Sequence, residues 1–135
     1  MSLSVQYVPL EKVHQTWPLV QSYLAESVKW SEGDYTEDQA KALLASGSWL
    51  LLVAVDEQNE IHGAASVHLF NMPNDRVAFI TAIGGKTDKL GFIEFENWVR
   101  ANGGTKIQGA AFEAVARLWK RAYGFENRYI LVEKR

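Results

Sequence analysis

The feature that most constrains the fold is an apolar strand that runs into a glycine pair and then into a helix start. The strand covers residues 76–83, Gly84 and Gly85 follow it, and Asp88 stands where a helix would begin. Such a helix directs unpaired N–H groups and the positive end of its dipole above the strand. Glycine has no Cβ, so an anion could approach closely, and Lys86 would add a cation. The turn is a candidate phosphate or pyrophosphate site, although a glycine pair before a helix is as often only a tight connection.

Composition limits the class of protein. A chain of 135 residues with 47% hydrophobic and 22% charged residues predicts one globular domain over residues 1–135. The net charge of -2 gives no reason to expect a nucleic-acid partner. The absence of cysteine excludes disulfides and thiolate chemistry and is compatible with a cytoplasmic location. Neither a leader-like segment nor an apolar run of membrane-spanning length occurs, so no membrane association is expected.

The first third of the chain predicts one strand and two helices. Residues 4–9 alternate as a strand, and apolar residues then recur at helical spacing from Leu10 to Val28 or Trp30. Pro18 lies inside this pattern and predicts a kink or a break near Thr16. The loop 31–35 follows, and residues 36–39 have the spacing of a capping box that starts a second helix.

The remainder predicts a mixed α/β sheet. Apolar runs at 49–55, 60–70 and 76–83 predict three consecutive antiparallel strands. A helix from Asp88, a strand at 106–111 and a helix at 113–123 closed by Gly124 follow, with Leu118 and Ala122 on the core face. Residues 128–133 alternate and predict a last strand. The order is β-α-α-β-β-β-α-β-α-β.

Three passages resemble the GNAT family of acetyl-CoA-dependent N-acetyltransferases, and the likeness in architecture extends over essentially the whole chain. They are the strand pair 49–55 and 61–65, the segment 81–91, and the segment 116–125 that ends in Tyr-Gly-Phe. The compressed glycine turn and the Tyr-Gly-Phe segment also resemble small GNAT-like proteins of tailed bacteriophages. The resemblance implies a GNAT-type acyl-CoA N-acyltransferase fold with acetyl-CoA as cofactor.

The resemblance also implies where the cofactor would bind. In the family, the fourth strand and the following turn hold the pantetheine arm and the pyrophosphate. On this sequence the arm would meet Thr81, Ala82 and Ile83, and the pyrophosphate would meet Gly84, Gly85, Lys86, Thr87 and Asp88. Asp88 has a second interpretation, as the helix N-cap alone.

Two residues are candidates for proton transfer. Many active members place a tyrosine five residues before the Gly-Phe pair, where this chain has Trp119, and an indole cannot act as a general acid at neutral pH. Tyr123, one helical turn further on, is the tyrosine candidate, although it is not a direct replacement. His68 is the candidate base, although a lone strand histidine is more often structural or exposed.

Glu32, Asp34 and Tyr35 are candidates for binding a cationic amine. They occupy the loop that borders the acceptor pocket in the family, and the alternative is a solvated acidic loop. His62 shares a strand with His68, but no carboxylate or third histidine stands at ligand spacing in the sequence, so no metal site is predicted.

Other enzyme classes lack their motifs, since the chain has neither a Gly-x-Ser-x-Gly elbow nor a complete phosphate loop. The expected partner is a small-molecule or protein amine acceptor. The alternative function is a catalytically inactive GNAT-like binding or virion-associated protein. The surplus of aromatic residues leaves room for a homodimer through the last strand.

Overall fold

Alternating apolar residues form one sheet that separates two helical layers. The computed structural model describes residues 2–135, and its sheet contains five strands in the order β1-β2-β3-β4-β5. The first four strands are antiparallel, and β5 runs parallel to β4. The elements are β1 (Ser4–Val8), α1 (Leu10–Lys29), α2 (Glu37–Ser46), β2 (Leu50–Val55), β3 (Ile61–Asn71), β4 (Arg76–Gly85), α3 (Lys89–Ala101), β5 (Lys106–Gly109) and α4 (Glu113–Tyr123). The predicted mixed α/β class is confirmed.

Helix α1 is continuous, so the predicted break at Pro18 is wrong. Pro18 removes one backbone donor from the helix interior, which costs about 3 kcal/mol. The apolar stripe continues on both sides of the proline, and each fully buried side chain contributes roughly 1.5–3 kcal/mol. The five buried residues of the stripe, Val13, Trp17, Val20, Leu24 and Val28, therefore hold both halves against the sheet.

Helix α2 begins and ends as its sequence predicts. The Thr36 hydroxyl accepts from the backbone N–H of Gln39, and the Gln39 side chain accepts from the N–H of Thr36. Gly47 closes the helix with a φ of 83°, in the left-handed region that favours glycine. Both ends fix where the loop before α2 lies.

The core is divided between the two faces of the sheet. On one face, α1 and α2 cover a cluster that includes Leu51, Val53 and Ala82. On the other face, α3 covers a second cluster that includes Val67 and Phe95. Because strand side chains alternate, the two faces remain distinct along β3 and β4.

A β-bulge interrupts the pairing of β4 at Thr81. Ser66 lies opposite Ala82, and Val67 lies opposite Ile80, so Thr81 has no partner on β3. An extra residue of this kind bends its strand, and such bulges are frequent next to active sites.

Strand β5 leaves β4 at the same position. The two strands pair only from Val77 opposite Lys106 to Ile80 opposite Gly109. Beyond Ile80 the sheet is open between β4 and the chain that leads into α4.

The end of the chain differs from its prediction. Helix α4 has the predicted bounds, and Gly124 closes it with a φ of 76°. Its predicted core face is wrong, because Leu118 is 57% exposed and Ala122 is also exposed. The strand predicted at 128–133 is absent, and Ile130 is 88% exposed. An alternating segment forms a strand only beside another strand, and this one has no strand next to it.

Within residues 2–135, no helix is both long enough and apolar enough to span a membrane.

Candidate active site

An apolar pocket of about 460 Å³ opens on the α3 face of the sheet where β4 and β5 separate. Its floor is formed by β2, β3 and β4, and α3 and α4 form its sides. The lining includes Ala54, Ala65, Ile80, Ile83, Phe92, Phe95, Val115, Leu118, Trp119, Tyr123 and Phe125, together with the turn that leads into α3. The pocket therefore joins the predicted cofactor turn to the predicted catalytic helix.

The glycine pair belongs to β4 and is not a turn, so that prediction is wrong. Gly84 lies opposite Ala64 in the β3–β4 ladder, and Gly85 lies opposite Gly63. A Cβ on Gly84 would lie 1.7 Å from the backbone oxygen of Tyr23 on α1. Packing of α1 on β4 accordingly requires glycine at position 84.

Gly85 is constrained both by its backbone and by its neighbours. Its φ is 79°, and a Cβ there would lie 2.4 Å from the carbonyl oxygen of His62. The chain turns only after this residue, where the N–H of Lys86 donates to the same oxygen over 2.9 Å. The turn proper is therefore residues 86–88.

Asp88 is the N-cap of α3, as its second interpretation proposed. Its Oδ1 accepts from the N–H of Gly91 over 2.7 Å, and its Oδ2 accepts from the N–H of Leu3 over 3.3 Å. The bond from Gly91, aided by the bond from Leu3, lowers the pKa of the Asp88 carboxyl below its usual value. A carboxylate thus lies at the helix N-terminus, where the sequence predicts a bound anion.

Thr87 carries a polar atom without a partner. Its Oγ1 is buried and makes no hydrogen bond within residues 2–135. Thr87 lines the pocket, and a Cβ at Gly91 would approach this oxygen to 2.3 Å. A buried hydroxyl normally has a partner, so this atom is available to a ligand in the pocket.

The predicted cofactor residues fall into two groups. Five of them line the pocket, namely Ile83, Gly84, Gly85, Lys86 and Thr87. Thr81 and Ala82 do not line it. The Thr81 hydroxyl bonds to the Ser66 hydroxyl over 2.7 Å, and Ala82 is buried in the core on the α1 face.

Aromatic contacts fix the catalytic helix over the pocket. The ring of Tyr123 stacks on Phe92 with centroids 4.4 Å apart. Trp119 contacts Phe125 at 5.3 Å, and a Cβ at Gly109 would lie 2.8 Å from the Trp119 ring. Tyr123 and Trp119 both line the pocket, so the tyrosine is near the position where the family's acid would act. The role of Gly109 was missed, because only the fold brings it against the indole.

His68 lies on the opposite face of the sheet from the pocket. On β3, Ala65 lines the pocket and Val67 packs with the α3 cluster, so Ser66 and His68 point toward the α1 face. His68 is exposed and its ring lies 5.1 Å from that of Phe70. The candidate base and the candidate acid therefore approach the opening from different sides.

The loop before α2 contributes one ordered residue and two exposed charges. The Tyr35 hydroxyl donates to the carbonyl oxygen of Thr81 at the bulge, and its ring packs edge-on against Trp49 at 4.8 Å. Burial, followed by the charge of Asp34, raises the pKa of Tyr35 above its usual value. Glu32 and Asp34 are exposed. This loop therefore meets β4 at the bulge.

An aromatic pair connects the same loop to α4. Trp30 follows α1, Phe112 precedes α4, and their rings meet edge-on at 5.4 Å. Trp30 is 58% exposed and Phe112 is 51% exposed. Sequence reasoning missed this pair, because the two residues are 82 positions apart in the chain.

His62 has carboxylates beside it that sequence spacing did not reveal. Its Nε2 lies 2.7 Å from Asp56 Oδ2, and Glu60 lies close enough for the three to meet around one point. The hydrogen bond from His62 and the backbone bond from Glu60 lower the pKa of Asp56 below its usual value. The N–H groups of Gln58 and Glu60 both donate to Asp56 Oδ1, so the cluster closes the hairpin between β2 and β3.

Comparison with solved structures identifies the architecture. An aminoglycoside acetyltransferase from an uncultured soil metagenomic sample, solved with sisomicin, superposes with a TM-score of 0.68 at 11% identity, covering 98% of this chain and 95% of the other. A ribosomal-protein-alanine N-acetyltransferase from Brucella melitensis gives 0.67 at 16% identity over 98% and 99% of the two chains. The chain has the GNAT acyltransferase fold.

A third GNAT-fold structure bears on the cofactor. A predicted acetyltransferase from Clostridium acetobutylicum, solved with acetyl-CoA, gives a TM-score of 0.64 at 15% identity over 98% of this chain and 96% of the other. No family model matches the sequence, and no curated protein matches it. The likeness therefore lies in the GNAT fold, and function has to be argued from the site.

Proposed function

We propose that this chain is an N-acyltransferase that uses an acyl-CoA, with acetyl-CoA as the first candidate. The observation that carries the proposal is the opening at Thr81 and Gly109, which lies between an apolar pocket on one face and an acidic loop on the other. Acyl transfer between two substrates needs such an arrangement, because donor and acceptor must meet in line from opposite sides. The GNAT fold and the acetyl-CoA in one neighbour support the choice of donor.

The pocket fits the acyl end and arm of the cofactor. Its lining is mainly apolar, and the backbone from Ile83 to Gly85 forms one rim. The cation of Lys86 and the unpartnered hydroxyl of Thr87 lie at the same rim, where they would meet the phosphates. The carboxylate of Asp88 opposes an anion there, so we expect phosphate binding to rest on Lys86 and Thr87.

The acceptor is proposed to approach from the α1 face. Glu32 and Asp34 are exposed on the loop whose Tyr35 anchors it to the bulge, and they would attract a cationic amine. The exposed rings of Trp30 and Phe112 add faces that bind cations. The metagenomic neighbour is named for aminoglycosides, which supports a small polyamine as the acceptor class.

The chemistry needs one proton removed and one supplied. The acceptor must lose its ammonium proton before its nitrogen attacks the acyl carbonyl carbon, and His68 on the acceptor face is the proposed base. The carbon–sulfur bond then breaks, and the departing thiolate takes a proton from Tyr123 on the donor face. The two residues are thus separated in the way that a ternary complex requires.

A thiol-release assay tests this function directly. The chain contains no cysteine, so a thiol reagent reports only the coenzyme A that is formed. We expect acetyl-CoA-dependent thiol release with at least one amine from a panel of aminoglycosides, short polyamines and N-terminal peptide amines. Tyr123→Phe should reduce turnover by roughly 10²-fold or more and leave acetyl-CoA affinity unchanged.

The second candidate is a GNAT-fold protein without catalysis, such as a virion-associated module of a bacteriophage. Trp119, at the position where active GNAT members often carry the acid, favours it. Acetyl-CoA binding without turnover on any acceptor of the panel would support this candidate. The absence of binding at millimolar acetyl-CoA would refute the acyltransferase.

A further inference from the structure

The C-terminal tail, residues 124–135, is a strand-like segment that the fold leaves uncovered. Four consecutive apolar residues are almost entirely exposed: Tyr129 at 75%, Ile130 at 88%, Leu131 at 84% and Val132 at 85%. Their alternation places Tyr129 and Leu131 on one face and Ile130 and Val132 on the other. A strand that is apolar on both faces is typical of the interior of a covered sheet.

The tail lies across a groove from the open edge of the sheet. Strand β5 pairs with β4 on one side only, so its other edge is free. One groove of about 1090 Å³ is lined on one side by residues 104–111 and on the other by residues 123–131. Two unpaired backbone edges therefore face the same space, and a strand inserted between them would satisfy both.

We propose that this groove is filled by the tail of a second copy of this chain. In a two-fold arrangement, the tail of each copy enters the groove of the other copy. Each inserted tail pairs with the partner's β5 edge on one side and with the partner's tail on the other. The two sheets then join through a pair of exchanged strands, and no sheet edge remains free at this end.

The tail sequence is complementary to itself in one register. Two-fold symmetry in an antiparallel pair requires one residue to lie opposite its own copy. With Ile130 at that centre, Tyr129 lies opposite Leu131, and Glu126 lies opposite Lys134 at both ends of the pair. Centring on Leu131 would instead place Arg128 opposite Lys134. Opposite charges stabilise a cross-strand pair and like charges destabilise it, so the register centred on Ile130 is favoured.

The dimer would also complete the wall of the pocket described above. Four aromatic residues line both the groove and the pocket, namely Phe92, Trp119, Tyr123 and Phe125. A strand inserted in the groove would pack against the far side of these rings. The proposal itself rests on the tail and the β5 edge and does not depend on the activity.

The first experiment is sedimentation velocity of the full chain between 1 and 100 µM. We expect a dimer that Leu131→Asp converts to monomer. Leu19→Asp is the matched control, because Leu19 is 62% exposed on α1 and away from the tail, and it should remain dimeric. Since Leu131 is exposed in the monomer, its replacement should leave the unfolding temperature of the monomer unchanged. A wild-type monomer at 100 µM would overturn the proposal.

The second experiment tests the register by oxidation of single-cysteine variants. The chain has no cysteine of its own, so Ile130→Cys and Leu131→Cys each introduce one thiol. The proposed register brings position 130 opposite its own copy, within reach of a disulfide, and places the two copies of position 131 too far apart. We expect at least fivefold more disulfide-linked dimer from Ile130→Cys. Equal yields from both variants would overturn the register and the strand exchange with it.

Discussion

Replacing Gly84 with alanine should destabilise the protein by separating α1 from β4. The added Cβ would lie 1.7 Å from the Tyr23 carbonyl oxygen, whereas ordinary contact begins at 3.4 Å. The helix would have to withdraw by about 1.7 Å, the difference between these distances. Both atoms are fixed by their backbones, so no side-chain rotation relieves the clash.

The cost follows from the side chains that α1 buries opposite β4. Val20 is 0% exposed and Leu24 is 1% exposed, and a gap of 0.5–1 Å already loses a quarter to a half of such contact energy. Half of the burial energy of two such side chains is about 2–3 kcal/mol. For a domain of this size that corresponds to a decrease in Tm of roughly 6–15 °C.

The assay is thermal or urea unfolding, with Gly33→Ala as the matched control. A Cβ at Gly33 meets nothing within 4 Å, so this variant carries only the strain of its φ of 91°, about 1–2 kcal/mol. Gly84→Ala should therefore lower Tm more than Gly33→Ala. If Gly84→Ala unfolds within 2 °C of the wild type, the packing explanation of the glycine pair is refuted.

Three further predictions follow from single contacts. Because the folded pKa of Asp88 is depressed, its carboxylate stabilises the fold above the unfolded pKa and loses that effect as the pH falls through the folded pKa; Asp88→Asn should flatten the decline in Tm below about pH 4, and an unchanged acid profile would contradict the capping role. His68→Ala should lower turnover by roughly 10²-fold without weakening acetyl-CoA binding, since the histidine lies on the acceptor face; intact turnover would remove it as the base. Leu24→Ala should cost about 2–5 kcal/mol in urea unfolding, while Leu118→Ala, at a 57% exposed position, should cost under about 1 kcal/mol; comparable losses would mean that α4 is packed more tightly than the structure has it.

Local signals in the sequence were sufficient for most helices and strands. The capping box at Thr36 and the left-handed Gly124 act within one turn of chain, so their spacing alone locates the ends of α2 and α4. The buried stripe of α1 repeats at helical spacing and outweighs the local effect of Pro18.

Features that depend on a distant partner could not be read from the sequence. The glycine pair looks the same whether a ligand or a helix lies against it, and the structure places Tyr23 of α1 there. The alternation in the tail indicates the propensity to form a strand, but only the sheet determines whether an edge is beside it. The pairing of Trp30 with Phe112 and the bulge at Thr81 likewise arise from tertiary contacts.

The central claim is that the pocket between β4 and α4 binds an acyl-CoA, and the most direct test is calorimetric titration of acetyl-CoA into matched charge variants. Leu118→Glu places a negative charge at an exposed position of the pocket lining, and Leu19→Glu places the same charge on α1 at a similarly exposed position. Gly85→Asp would be a poorer probe, because its side chain clashes within the fold. We predict that the wild type and Leu19→Glu bind acetyl-CoA equally and that Leu118→Glu binds at least tenfold more weakly. Equal affinity in all three proteins, or binding in none, would contradict the claim.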